Sequence, residues 1–92
     1  MTLIRRASAG QPQRNVVLTG FARPFRPGEV EGPIQQGDQQ VEILHDEIAA
    51  AEWPWPPRLH DALDMGRQVT LQAATPIYDG AALAGWSLWV RG

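Results

Sequence analysis

Polar and apolar residues alternate in several short stretches of this 92-residue chain, the two-residue period expected of strands with one buried face. In Gln39–Leu44, Val41 and Ile43 alternate with Gln40 and Glu42. In residues 68–74, Val69, Leu71 and Ala73 alternate with Thr70, Gln72 and Ala74. Residues 83–91 place Trp86, Leu88 and Val90 on one face and Ser87, Trp89 and Arg91 on the other. Residues 15–23 are β-branched or bulky at Val16, Val17, Leu18, Thr19 and Phe21, and alternation groups Val17, Thr19 and Phe21 on one face. Residues 59–64 predict a short strand that turns at Met65-Gly66, and Tyr78-Asp79-Gly80 is a further turn signal.

One segment departs from this period. After His45, Asp46 can cap a helix running to about Trp53, since three alanines favour it and Pro54 stops it. So short a helix needs tertiary support, which Ile48 and Trp53 are expected to supply. Trp53-Pro54-Trp55-Pro56-Pro57 then reads as an extended, polyproline-like strap. Residues 24–38 are rich in proline and glycine and read as a long loop. The pattern predicts a mostly β fold, a small β-barrel or sandwich of about five strands with one short helix. It divides the chain into a flexible basic N-terminal arm, residues 1–14, and a single β-rich domain, residues 15–92.

Composition refines the picture. At 43% apolar and 20% charged, the chain is globular in character, with enough aromatics for one small core. It has no cysteine, so neither disulfides nor thiolate metal sites enter. No apolar run approaches the ~20 residues of a membrane helix, and the N-terminus has no signal-peptide core. A protein made in the bacterial cytoplasm, with no membrane partner, is expected. Arg5, Arg6 and Arg14 give residues 1–14 a charge of +3, whereas five arginines against ten acids give residues 15–92 a charge of −5. The arm can steer toward an acidic partner or a phosphate, although three arginines make only a weak, salt-sensitive phosphate contact.

Candidate chemistry is sparse. His45-Asp46-Glu47 and His60-Asp61 have no metal-ligand spacing. Ser8 sits in the arm and Ser87 in a strand, without a nucleophile-elbow context. Gly28, Gly32 and Gly37 have neither the spacing nor the context of a phosphate loop. No catalytic, metal or cofactor residue is assigned, and the chain is read as no enzyme.

The binding signal lies in tryptophan and amide side chains. Four tryptophans in 92 residues supply large anchors of the kind found at interface hot spots, and equally the bulk that a small core needs. Trp86 falls on the apolar face. Trp89 fits interface or core, and Trp55 fits a lid over the core or an exposed anchor. Gln35, Gln36, Gln39 and Gln40 form a neutral segment able to hydrogen-bond a neighbouring subunit.

Gly32-Pro33-Ile34-Gln35-Gln36-Gly37-Asp38, Ala49-Ala50-Ala51-Glu52-Trp53-Pro54-Trp55-Pro56-Pro57-Arg58 and Gly85-Trp86-Ser87-Leu88-Trp89-Val90-Arg91-Gly92 resemble, in order and spacing, a family of small tailed-phage and prophage proteins of head completion and head-tail joining. Arg26-Pro27 and Glu29-Val30 belong to the same pattern. The chain departs from it at His60-Asp61, where the family is expected to carry Gly-Asp, and at Asp64-Met65-Gly66 in the following turn.

The resemblance implies a virion connector: a ring beneath the portal, contacts with portal or adaptor and tail proteins, and proximity to packaged DNA without specific nucleic-acid recognition. The interface candidates are Arg5, Arg6, Arg26, Ile34, Gln35, Gln36, Trp53, Trp55 and Trp89. Two other classes stay open, a small nucleic-acid-binding β-barrel, against which the acidic body argues, and a peptide-binding module with a groove at Trp53 and Trp55.

Overall fold

The computed structural model describes residues 1–25, 34–35 and 37–92; Arg26 and Gln36, with the rest of residues 26–33, lie outside the described part. The described residues are mostly β with one short helix. Its strands are β1 (Thr2–Arg5), β2 (Arg14–Val17), β3 (Gly20–Pro24), β4 (Gln39–Leu44), β5 (Ala62–Asp64), β6 (Gln68–Asp79) and β7 (Ala82–Arg91), and its helix is α1 (His45–Ala50). Seven strands form one antiparallel sheet in the order β2-β1-β5-β6-β7-β4-β3. The two edge strands are consecutive in the chain, separated by Leu18 and Thr19. The sheet is therefore wound back on itself without being closed by hydrogen bonds.

The register explains the core. Val16, Leu3, Leu63 and Val69 are cross-strand partners in sequence, as are Val41 with Leu88, Ile43 with Trp86 and Leu71 with Val90. All of these residues are buried, so each strand contributes its alternate positions to one apolar face. The alternation in β4 and β7 predicted this directly.

Three expectations are corrected. The first concerns residues 1–14, which are not a free arm: β1 lies between β2 and β5, Leu3 is fully buried, and the amino group of Met1 donates to the Leu18 carbonyl at 2.9 Å. Four residues are too few to show a period, and only the long-range pairing makes them a strand. Next, residues 15–23 form two strands, with Val16 and Leu18 buried while Val17 and Phe21 are exposed at 78% and 76%. The face that groups Val17, Thr19 and Phe21 is the outward one, because every residue in this apolar run suits a strand and only the register with β1 chooses the side. Third, α1 begins at His45 with Leu44 at its N-cap and no side-chain cap, since β4 runs straight into the helix.

The helix ends by a defined route. The Trp53 N–H donates to the Ile48 carbonyl at 3.2 Å and the Glu52 N–H to the Ala49 carbonyl at 3.1 Å, with Glu52 at φ 55°. This is the paired-bond C-cap in which one residue adopts the left-handed region and the next packs back on the last turn. Buried Trp53 and Ile48 are that packing pair. A second non-glycine with positive φ, His60 at 77°, stands at the position where the resemblance anticipates glycine.

Candidate interaction surfaces

The outward side of β7 holds the end of the 24–38 segment. Asp38 is buried, and its carboxylate accepts from Arg91 Nε and Nη2 at 3.0 and 2.9 Å, from Trp89 Nε1 at 2.7 Å and from the Gln35 N–H at 2.9 Å. Its own N–H donates to the Gln35 carbonyl at 3.0 Å. The Arg91 hydrogen bonds outweigh burial and hold the Asp38 carboxyl down to about 2. Trp89 is consequently a fastening for the Gln35–Asp38 turn, with the Arg91 guanidinium 5.5 Å from its ring centre. Ile34 is half-buried and Gln35 exposed beside it. In the sequence Asp38 stands only as the last residue of the Gly32–Asp38 segment of the resemblance, with no contact assigned to it; Arg91, more than fifty residues away, gives it its role.

At the other end of the sheet, Arg5 is consumed internally. Its Nε and Nη2 donate to the Asp61 carboxylate at 3.0 and 2.8 Å, and Nη1 and Nη2 donate to the carbonyls of Pro54 and Pro56. The guanidinium also lies 4.5 Å from the Trp53 ring centre. Arg5 thereby ties β1 to the proline strap, where prolines leave carbonyls free and few N–H groups to satisfy them. Arg6 is exposed and, with Arg14 and Arg58, lines a cleft of about 340 Å³.

The strap tryptophans part company. Trp53 is 2% exposed and its Nε1 donates to the Arg14 carbonyl at 3.1 Å, so it is a core residue in this chain and not a free surface anchor. Trp55 is 52% exposed and meets His45 edge-on, ring centres 4.8 Å apart. Trp86 Nε1 donates to His45 Nδ1 at 3.2 Å. Trp55 covers this pair with one side and presents the other to solvent.

The outer face of β3, β4, β6 and β7 carries an apolar groove of about 240 Å³ lined by Phe21, Leu44, Ile77, Ala84 and Gly85. Gly85 has a steric reason: a Cβ there would stand 2.3 Å from the Ile43 carbonyl oxygen. Among the described residues no three His, Cys, Asp or Glu side chains converge as a metal site. Ser87 Oγ accepts from Gln40 Nε2 at 2.6 Å, and among the described residues no helix is long and apolar enough to cross a membrane.

No family model matches this chain, and no solved structure matches it significantly. It is 32% identical, over 91 residues, to the UDP-N-acetylglucosamine--N-acetylmuramyl-(pentapeptide) pyrophosphoryl-undecaprenol N-acetylglucosamine transferase of Methylobacterium nodulans, a match covering 91% of this chain. The chain spans 24% of that curated relative's length.

Proposed function

We propose that this chain is a non-enzymatic structural protein of a phage or prophage head-tail connector, acting through protein-protein contacts in a ring with portal or adaptor proteins on one side and tail proteins on the other. One structural observation carries the reading. A 92-residue domain presents Phe21 and Leu44 to solvent at 76% and 57% along a groove floored by a glycine, and clustered exposed apolar surface of this kind marks a contact surface. The resemblance of residues 20–58 and 85–92 to head completion proteins supplies the type of assembly. The Asp38 fastening supports it too, because it ties the Gln35 backbone to the end of β7.

Deleting the encoding gene from a producing phage or prophage tests the reading by electron microscopy of the lysate. DNA-filled heads and separate, complete tails are expected. Normal tailed particles from the deletion strain would overturn it.

A further inference from the structure

We propose that the cleft between the N-terminal hairpin and the proline strap is a receptor for an acidic polypeptide segment, with Arg6, Arg14 and Arg58 as its binding residues. This rests on the cleft alone and stands apart from the connector reading. Two pieces of chain distant in sequence converge there: the N-terminal hairpin, where Arg6 follows β1 and Arg14 opens β2, and the strap, which Arg58 ends. Arg5 is not a binder, since Asp61, Pro54 and Pro56 occupy its donors. It is the floor on which the others are arranged.

Among the described residues no carboxylate is paired with Arg6, Arg14 or Arg58. Arg14 spends one donor on the Glu52 carbonyl at 3.1 Å. Most of three guanidinium forks is therefore unspent, and such forks match carboxylates in a bidentate manner. Ser8 and Gln11 stand at the rim, their backbones closed on each other at 3.1 and 2.8 Å, which leaves a hydroxyl and an amide to meet a peptide backbone. Pro12 and Pro54 supply apolar wall.

Charge and size select a peptide over a nucleic acid. Arg5 and Asp61 cancel, the three remaining cleft arginines carry +3, and a chain of net charge −2 then carries −5 elsewhere. A polyphosphate backbone extending past the cleft meets that negative surface, whereas a short acidic segment confines its charge to the cleft. The cleft lining contains no aromatic ring on which a base could stack.

The test is fluorescence anisotropy at low salt with a labelled hexapeptide of alternating Asp and Glu, beside a labelled single-stranded hexanucleotide. Amide chemical shifts of the full chain are recorded with each probe. The peptide is expected to bind, to shift Arg6, Gln11, Arg14 and Arg58 selectively, and to lose at least tenfold in affinity in the Arg6→Ala and Arg58→Ala double variant. Arg67→Ala, outside the cleft, is expected to change affinity less than twofold. Among the described residues neither Arg6 nor Arg58 makes a side-chain ion pair, so circular dichroism of the double variant should match the parent. Tighter binding of the hexanucleotide, an equal loss in Arg67→Ala, or no selective shifts at millimolar peptide would each overturn the proposal.

Discussion

A single side chain fastens the start of β4 to the end of β7, the strand beside it. Asp38 collects four hydrogen bonds from Arg91, Trp89 and Gln35. Its carboxyl falls from 3.8 to about 2, a difference on the order of 2 kcal/mol between charged and neutral forms. Because the folded value lies below the unfolded one, this contribution is present in full above the unfolded value and is lost as pH falls through the folded one. Urea unfolding of the parent and Asp38→Asn should show a constant gap from pH 7 to about pH 5 that shrinks between about pH 4 and pH 2; a gap independent of pH would refute a role for the charge. His60 offers the opposite sign. Its φ of 77° costs about 1 kcal/mol in a non-glycine residue, so His60→Gly should raise the unfolding free energy by up to about 1 kcal/mol, read from the same titrations. Neither effect is legible at its own position: Asp38 needs Arg91, and the strain at His60 needs the backbone path that the strap imposes.

Among the elements, β1 best separates what pattern shows from what pairing shows. Residues 1–14 carry the only acid-free basic cluster and few apolar residues, which reads as a tail. Yet β1 sits within the sheet, and Leu3 faces both Val16 and Leu63. Leu3→Ala should cost about 2–5 kcal/mol by denaturant unfolding, the range for emptying a buried leucine site. Removal of residues 1–12 should therefore unfold the domain, and a truncated chain with an unchanged transition would return these residues to the status of a tail. β4 and β7, by contrast, were readable almost residue by residue, since six or more alternating positions leave little freedom of face. The helix was readable in place but not at its ends: Glu52 in the left-handed region stops it ahead of Pro54.

For the whole molecule, the buried core and the exposed apolar groove occupy opposite faces of one sheet. Phe21 contributes little to the core, so Phe21→Asp should shift stability by less than about 0.5 kcal/mol while removing the ability to complement the deletion strain. A large loss of stability would instead make the groove part of the fold. If the proposed connector role holds, the free chain should sediment as a monomer at about micromolar concentration, because many weak contacts act together only on a preassembled partner. A stable oligomer of pure protein would contradict that expectation.

By itself the sequence determined the mostly β class, the strands with a full alternating period, the buried face of β4 and β7, and the absence of cysteine chemistry. Each follows from nearest-neighbour geometry, in which side-chain period and residue type act over a few residues. Tertiary structure decided the rest. It made residues 2–5 of the basic arm a strand, chose the outward face for Val17 and Phe21, spent Arg5 on Asp61 and Trp89 on Asp38, and gathered Arg6, Arg14 and Arg58 around one cleft. Those outcomes depend on register between strands and on charges brought together from positions some fifty residues apart, quantities that no local pattern contains.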